Sequence, residues 1–260
     1  DFLEAAQRLH VEVITVADYC PQLAPGWGLD PMLAVPFDQP GIAIDTVLRH
    51  LSAKPDAVLA VDDHGLELAA LLRERLGLPG NPNSAVMLTR DKLVFRQLLR
   101  NDGFNCPAFR NLPHDVDLEQ WADEVNYPAV VKARRLSSSR GVVRVDDRQE
   151  FIAAVKWVRQ IQGRADRDSQ ELGLVVEDFI PGQEYALEGL LNDGKLNVLA
   201  LFDKPDPLDG PYFEETLYVT PSRLPRATQQ EIAETVQRAC EMAGLTSGPV
   251  HAEMRVNQSG

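Results

Sequence analysis

Segments with helical and with extended hydrophobic patterns alternate through the first 83 residues. Apolar side chains recur at helical spacing in residues 2–9, 45–51 and 65–76, which predicts three amphipathic helices. Two apolar runs, residues 11–16 and 57–61, lie between these helices and predict strands. Apolar strands that alternate with helices are typical of a parallel sheet covered on both faces, so the pattern predicts a Rossmann-like unit.

A second pattern begins after the turn residues at 81–84. In order, the expected elements are helices at 84–88 and 90–101, a strand from 107, a helix at 118–125, strands at 128–133 and 141–145, a helix at 149–161, strands at 174–179, 185–191, 196–202 and 213–219, a helix at 228–243 and a strand at 250–256. The Asp193-Gly194 pair between two alternating runs predicts a hairpin. The later strands are therefore expected to pair in an antiparallel sheet.

Composition and charge disfavour several classes of function. The 260 residues include 26 basic and 39 acidic side chains, and the net charge of −13 argues against a nucleic-acid surface. No apolar run approaches the roughly 20 residues of a membrane helix, so no membrane partner is expected. Cys20, Cys106 and Cys240 are scattered, which indicates reduced thiols in a cytoplasmic protein. Gly26-Trp27-Gly28 lies in a proline-rich loop and not in a strand-to-helix turn, which argues against a dinucleotide-binding fingerprint.

A lysine at the end of a predicted strand is followed by a short polar loop. Lys132 ends an apolar run, and a buried ammonium needs an anionic partner unless its head reaches water. Residues 134–141 are rich in serine and arginine. Hydroxyls, backbone N–H groups and arginines in such a loop can surround a polyphosphate, and on its own the same pattern also suits a solvated turn.

Residues 175–185 predict a strand, an acidic hinge and a second strand. Backbone groups at a hinge are not all committed to a ladder, so they can form hydrogen bonds with the edge of an adenine. Glu184, just beyond the turn, can accept hydrogen bonds from both hydroxyls of a ribose. Taken alone, Glu177 and Asp178 are expected to be solvated residues at the end of a strand.

The last predicted strand alternates polar and apolar residues. His251, Glu253 and Arg255 are expected on one face, with the intervening apolar residues on the core side. A carboxylate between a histidine and an arginine is a candidate ligand for a hard cation such as Mg²⁺. A solvated sheet face would show the same pattern.

In their order along the chain, these motifs resemble those of the ATP-grasp superfamily. The motifs that carry the resemblance are Leu-Gly-Leu-Pro-Gly at 76–80, the helix region with Asp91, Lys92, Arg96, Gly103 and Pro107, and residues 127–133, 139–142, 176–184 and 248–253. The resemblance implies a mixed α/β and α+β fold. Its expected parts are a Rossmann-like unit at 1–83, linker helices at 84–106, an ATP-grasp lid subdomain at 107–181 and an antiparallel-sheet C-terminal subdomain at 182–260.

The resemblance also implies cofactors, ATP with Mg²⁺ or Mn²⁺, and residues that bind them. The residues that correspond to the nucleotide-binding positions are Lys92 and Lys132 at the phosphates, Ser137, Ser138, Ser139 and Gly141 in the flexible loop, Glu177, Asp178, Phe179 and Ile180 at the adenine hinge, and Glu184 at the ribose. Glu253 corresponds to the first metal carboxylate. The loop departs from the common glycine-rich form because Gly141 is its one glycine, which puts its flexibility in doubt.

Residues 202–216 lie where members resembling L-amino-acid ligases carry substrate-facing side chains. The residues assigned on this basis are Lys204 for catalysis, on a phosphate or acyl-phosphate oxygen, and Glu215 and Tyr218 for binding the ammonium of an amino acid. From the last strand, Arg255 is assigned to catalysis and His251 to substrate binding. For Lys204, Glu215 and Tyr218 the sequence leaves a structural role equally open.

The activity implied by the resemblance is ADP-forming ligation of a small-molecule carboxylate to an amine through an acyl phosphate. Three alternatives stay open: a biotin-carboxylase-like or carbamoyl-phosphate-synthetase-like enzyme, a non-catalytic ATP-binding regulatory module, and a plain Rossmann-type binding protein. The sequence also leaves open a homo-oligomer or a fused downstream domain. Because the chain begins inside a helix and ends at a turn, we expect a segment truncated at both ends that binds nucleotide weakly without turnover.

Overall fold

The computed structural model describes residues 2–19, 32–165 and 170–258. The chain divides into two compact units, Asp1–Asn83 and Ser84–Gly260. The expectations for Cys20 and for Gly26-Trp27-Gly28 fall outside the described residues. Among the helices in the described ranges, none combines the length and the apolar character needed to cross a membrane.

The first unit is a small helical layer around a short parallel strand pair. Its elements are α1 (Phe2–Arg8), β1 (Val16–Ala17), β2 (Leu33–Ala34), α2 (Pro40–His50) and α3 (Leu66–Leu76), with β1 and β2 parallel. The predicted helical spacing is reflected in the core, where Ala43 and Val47 of α2 pack against Leu68 and Leu72 of α3. Gly77 ends α3 in the left-handed conformation that glycine adopts without steric cost.

Two strand predictions in this unit are wrong. Of residues 11–16, only Val16 belongs to a strand, and no strand forms at residues 57–61. In the second run Leu59 and Val61 are exposed, and the carbonyl of Val58 accepts a hydrogen bond from the Arg73 side chain at 3.0 Å. An apolar run becomes a strand only where a neighbouring strand can pair with it, and here a side chain supplies the backbone partner.

The second unit begins with helices and a four-stranded antiparallel sheet. Its elements are α4 (Asn83–Arg90), α5 (Lys92–Asn101), β3 (Phe109–Leu112), α6 (Leu118–Asp123), β4 (Ala129–Ala133), β5 (Val142–Val145), α7 (Arg148–Ala165), a short 3₁₀ turn (Gln170–Leu172) and β6 (Leu174–Asp178). The strand order is β3-β6-β4-β5, with every neighbouring pair antiparallel. Helix α7 buries Phe151, Val155 and Val158 against this sheet, which we call the lid sheet.

A three-stranded antiparallel sheet completes the second unit. Its elements are β7 (Gln183–Asn192), β8 (Lys195–Asp203), α8 (Arg226–Ala243) and β9 (Gly248–Val256), in the strand order β8-β7-β9. The Asp193-Gly194 hairpin joins β7 and β8, as predicted. Helix α8 packs Ile232, Val236 and Cys240 against one face of this C-terminal sheet, which leaves the opposite face open for polar side chains.

The predicted strand at 213–219 is also wrong. Within the described residues it makes one isolated bridge, between Val219 and Asp203. In a regular strand Glu215 and Tyr218, three residues apart, would point to opposite faces. Both instead contact the side chain of Lys204. The backbone conformation here is therefore set by these side-chain contacts and not by hydrogen bonds to a neighbouring strand.

Candidate functional site

A four-residue hinge at 179–182 connects the lid sheet to the C-terminal sheet. The backbone N–H of Phe179 donates to the carbonyl of Pro128 at 3.0 Å. In contrast, the Ile180 N–H and the Phe179 carbonyl have no hydrogen-bond partner within the described part of the chain. These two groups belong to one trans peptide and point in opposite directions, so one of them, the Ile180 N–H, is a candidate partner for the edge of an adenine, as the sequence predicts for the hinge.

Glycine at the end of the hinge is required by its surroundings. Gly182 has a φ of +126°, and a Cβ placed there would lie 2.6 Å from the carbonyl oxygen of Val256 in β9. The chain therefore crosses from β6 to β7 in close contact with β9. This contact sets the position of the hinge against the C-terminal sheet.

Glu177 lies at the lid-sheet side of the hinge and is buried, with 3% of its surface exposed. Its carboxylate pairs with Lys132 at 2.6 Å and with Arg96 at 2.7 Å. Burial raises the pKa of this carboxyl, but the neighbouring charges of Lys132 and Arg96 outweigh burial and lower its pKa to about 2. The expectation of a solvated Glu177 is therefore wrong, because the attraction of two neighbouring cations offsets the cost of removing its carboxylate from water.

We expect acid to destabilise the fold through Glu177. Its pKa is about 2 in the folded chain against an ordinary value of 4.5, so its contribution is complete above pH 4.5 and is lost as the pH falls toward 2. The loss amounts to roughly 3 kcal/mol. Urea unfolding at a series of pH values from 6 to 2 measures it. In a Glu177→Gln variant the pH dependence should be flatter, and equal slopes would assign the acid effect to other groups.

Lys92 lies at the start of α5, directly beside the polar loop. Its backbone N–H donates to the carbonyl of Arg134 at 3.0 Å, and its ammonium donates to the carbonyl of Leu136. Buried Asp91 caps α5 by accepting from the N–H of Leu93 at 3.1 Å. The same carboxylate accepts two hydrogen bonds from the Arg134 guanidinium, at 3.0 and 2.6 Å. Asp91 thus fixes the helix start and the loop together.

The serine loop adopts the backbone conformation normally taken by glycine. Ser138 and Ser139 have φ values of +55° and +54° and are exposed. Gly141 has a φ of +68° and is buried, with room for a Cβ only at 3.0 Å from that of Ala133. Ser138 and Ser139 therefore make the tight turn at positions where glycine is the usual residue. Its N–H and hydroxyl groups stay available at the surface.

Arg135 adds an unsatisfied donor beside this loop. Its Nε is buried and has no hydrogen-bond partner among the described residues, although the guanidinium lies 3.7 Å from Asp91. A buried donor nitrogen that makes no hydrogen bond is costly unless a ligand satisfies it. Together with Lys92 and Lys132, this donor set fits an anionic polyphosphate.

Lys204 forms the centre of a carboxylate cluster beyond the hinge. It directly follows β8 and is buried, and its ammonium donates to Glu184 at 2.9 Å, to Glu215 at 2.7 Å and to Glu253. The ring centroid of Tyr218 lies 4.8 Å from the ammonium. Burial lowers the pKa of Lys204, but the hydrogen bonds to the carboxylates outweigh burial and hold its pKa above the ordinary value. The ammonium is therefore charged.

The three carboxylates converge at one point. One oxygen from each of Glu184, Glu215 and Glu253 lies within 4.8 Å of the others. Carboxylate oxygens are the ligands that Mg²⁺ and Mn²⁺ prefer, so the predicted metal residue Glu253 sits in a chemically suitable set. The ammonium of Lys204 engages the same oxygens. Glu184, predicted for ribose, belongs to this cluster as well.

The open face of β9 carries the predicted alternation. Arg255 donates to the Ile180 carbonyl at 2.9 Å and to Glu184 at 3.2 Å, which ties the hinge to the carboxylate cluster. His251 lies 2.6 Å from Glu188 and 3.5 Å from Glu253. Hydrogen bonding to Glu253 raises the pKa of His251 to about 9. The sequence analysis missed Glu188. The observation that identifies it is its position directly opposite His251 in the pairing of β7 with β9.

The proline-rich segment 205–216 spans from the cluster to the lid sheet. The Arg144 guanidinium of β5 donates to the carbonyl of Asp209 at 2.7 Å, and the ring of Tyr212 lies 5.6 Å from that of Trp157 in α7. The hinge residue Phe179 has Arg144 at 4.3 Å from its ring centroid and Arg255 at 5.2 Å. Segment 205–216 therefore connects both sheets beside the hinge.

The predicted residues thus form two groups joined by the hinge. On the lid side are Lys92, Lys132, Ser137, Ser138, Ser139, Gly141 and Glu177, and on the C-terminal sheet side are Glu184, Lys204, Glu215, Tyr218, His251, Glu253 and Arg255. Asp178, Phe179 and Ile180 connect them. Asp91 and Arg96 belong to the motifs that carry the resemblance but have no assigned role there, and Glu188 was not singled out in the sequence.

Comparison with known proteins places this architecture in a family. Residues 125–260 match the model of the ATP-grasp domain. The chain is 30% identical over 226 residues to carnosine synthase 1 of Gallus gallus, covering 82% of this chain and 24% of that protein. It is 31% identical over 245 residues to a D-alanine–D-alanine ligase of Ectopseudomonas mendocina, covering 89% of this chain and 74% of that ligase.

A solved structure shows the same fold over almost the whole chain. The L-amino acid ligase from Bacillus licheniformis superimposes with a TM-score of 0.78 and 30% identity, covering 98% of this chain and 60% of that one. The expected mixed α/β and α+β fold is thereby confirmed. Family match, relatives and fold agree with the resemblance found in the sequence, and the chain belongs to the ATP-grasp family.

Proposed function

We propose that this chain carries the active site of an ATP-dependent ligase that joins an amino-acid-like carboxylate to an amine. The observation that carries the proposal is the hinge, which joins a cationic, phosphate-suited lid group to a carboxylate cluster on the C-terminal sheet. Two of the named proteins, the D-alanine–D-alanine ligase and the L-amino acid ligase, are ligases of amino acids by name, which supports the same class of reaction. Because the chain spans 24% and 74% of the two relatives and 60% of the solved ligase, the complete activity is part of the proposal.

In this proposal the lid group and the hinge bind the nucleotide. The Ile180 N–H donates to the adenine edge, and Lys92, Lys132 and Arg135 face the phosphates. Lys132 is already held by Glu177 at 2.6 Å, so its ammonium is positioned before the ligand arrives. The exposed hydroxyls of the serine loop close over the phosphates and exclude water.

Chemistry occurs where the nucleotide meets the carboxylate cluster. A substrate carboxylate oxygen attacks the γ-phosphorus, the bond from that phosphorus to the ADP oxygen breaks, and an acyl phosphate forms. The amine then attacks the acyl carbon, the carbon–oxygen bond to phosphate breaks, and the amine loses a proton. A divalent ion, when bound at Glu253, would offset the phosphate charge. Lys204 and Arg255 are the fixed cations on this side, and preorganised charge of this kind stabilises the transition state.

The charge of the cluster favours a substrate with an ammonium group. Four carboxylates, those of Glu184, Glu188, Glu215 and Glu253, face three cations, Lys204, Arg255 and protonated His251, so the cluster retains a net charge of 3 − 4 = −1. Tyr218 donates to Glu215, which orients that carboxylate at the exposed side of the cluster. An amino acid satisfies both needs, because its carboxylate meets the cations and its ammonium meets the remaining acid.

Product analysis tests this function. We expect ATP with pairs of amino acids to yield ADP, phosphate and a dipeptide, and a Lys132→Met variant to lose at least tenfold in ADP affinity because it loses the positioned ammonium. ADP titration of the 260-residue chain is measured first, followed by phosphate release from the full-length protein with amino acids and with bicarbonate. AMP and pyrophosphate as products would exclude the proposal. Unchanged ADP affinity in the Lys132 variant would contradict the lid group as the nucleotide site, and tight ADP binding without turnover by the full-length protein would favour a binding module.

A further inference from the structure

We infer that Lys204 is a built-in counter-cation, which holds the three cluster carboxylates together and competes with a divalent ion for them. This positioning role differs from contact with a phosphate, which the sequence resemblance implies for the same lysine. The inference rests on the proposed function in one respect, that a divalent ion is used at Glu253. It predicts that removal of the Lys204 ammonium increases the affinity for a divalent ion, whereas removal of a site residue ordinarily decreases it.

The geometry shows that the Lys204 ammonium occupies the position that a bound metal ion would take among the three carboxylates. An ammonium has three N–H donors, and Lys204 directs them to Glu184, Glu215 and Glu253. These acids come from three separate elements, β7, segment 205–216 and β9. With oxygens within 4.8 Å of one another, their charges repel strongly unless a cation lies among them. Lys204 is therefore the group that keeps the carboxylates convergent.

Burial shows from which side an ion would compete. The Lys204 side chain is 3% exposed, whereas those of Glu215 and Glu253 are 32% and 42% exposed. An ion from solvent thus meets the exposed carboxylates first and must displace the ammonium beneath them. The Lys204 backbone N–H donates to the Glu184 carbonyl at 3.2 Å, so exchange involves movement of the side chain end and not of the chain.

This arrangement couples the metal to the nucleotide. While Lys204 engages the carboxylates, a divalent ion alone finds each of its ligands already paired, and its affinity is low. Bound phosphate oxygens offer the ammonium another anionic partner and offer the ion further ligands. Metal and nucleotide are therefore expected to bind with positive cooperativity.

Titration with Mn²⁺ alone tests the inference on the full chain. Free Mn²⁺ is measured by electron paramagnetic resonance for the native chain and for Lys204→Met, Lys204→Arg and Lys195→Met. We expect Lys204→Met to bind Mn²⁺ at least tenfold more tightly than the native chain. Lys204→Arg keeps the charge and should keep the low affinity, and Lys195→Met alters an exposed lysine of β8 and should change nothing. Equal or weaker binding by Lys204→Met would overturn the inference.

Thermal unfolding covers the case in which Lys204→Met folds poorly. Mn²⁺ should raise the midpoint of Lys204→Met by several degrees more than that of the native chain, because the ion replaces the lost ammonium. Adding Glu215→Gln should reduce that gain. If the Lys204→Met chain shows no cooperative unfolding transition at any Mn²⁺ concentration, the result counts against the inference. Because no ATP or amino acid is present, these outcomes are independent of the product analysis, and failure of ligation leaves them unchanged.

Discussion

Replacement of Glu177 by glutamine should lower the free energy of unfolding by about 3–5 kcal/mol. The carboxylate is 3% exposed and is the shared partner of Lys132 and Arg96. A neutral amide cannot balance two cations, and the Lys132 side chain is itself only 19% exposed, so its ammonium would be left largely buried and uncompensated. Urea unfolding at neutral pH measures the loss. A loss below about 1 kcal/mol would mean that the pair contributes no more than a surface ion pair.

Two further variants separate burial from charge. Glu124→Gln removes an exposed ion pair with Arg110, 3.3 Å long, and should change the stability by less than about 0.5 kcal/mol. The double variant Lys132→Met with Glu177→Met removes both buried charges, and Arg96, which is 27% exposed, can turn toward water. We therefore expect this double variant to be more stable than Glu177→Gln, because the cost comes mainly from unpaired buried charge. Its nucleotide affinity should remain low, since the Lys132 ammonium is missing.

The parts of the fold that the sequence predicted well are those with a regular local pattern. The alternation in β9 places Val250, Ala252 and Met254 on the α8 side and Glu253 on the open face, as expected. The strand predictions at 57–61 and 213–219 were wrong because a strand also needs a neighbouring strand with which its backbone can pair. At the first run Arg73 supplies the backbone bond, and at the second the cluster around Lys204 determines the path.

The site was predictable in its residue types but not in its pairings. The partners of Glu177 lie 45 and 81 positions away, and no local pattern states that a lysine and an arginine will meet it. Asp91 carries the signature of a helix cap, yet its second role, binding Arg134, depends on a contact across 43 positions. The sequence indicated a polar strand end for Glu177 and a position at the start of a helix for Asp91. Burial and opposite charge, which only the folded structure shows, make these residues the support of the proposed nucleotide site.

Replacement of Gly182 by alanine should cost more than about 3 kcal/mol and weaken ADP binding, since it affects the hinge directly. Its φ of +126° lies where side chains are strained, and the added Cβ would lie 2.6 Å from the Val256 carbonyl oxygen. A backbone atom cannot move aside as a flexible side chain can, so β7 and β9 must separate at the point where Arg255 binds the hinge. Urea unfolding and ADP titration measure the two effects.

A second glycine provides the matched control. Gly194 also has a positive φ, +78°, but a Cβ there meets nothing within 4 Å. Gly194→Ala should therefore cost only about 1–2 kcal/mol, the strain of the conformation itself, and should leave ADP affinity unchanged. The difference between the two variants isolates the contact with Val256. If both variants lose the same stability and both retain ADP binding, the close approach of the hinge to β9 has no role in placing the Ile180 N–H for the adenine.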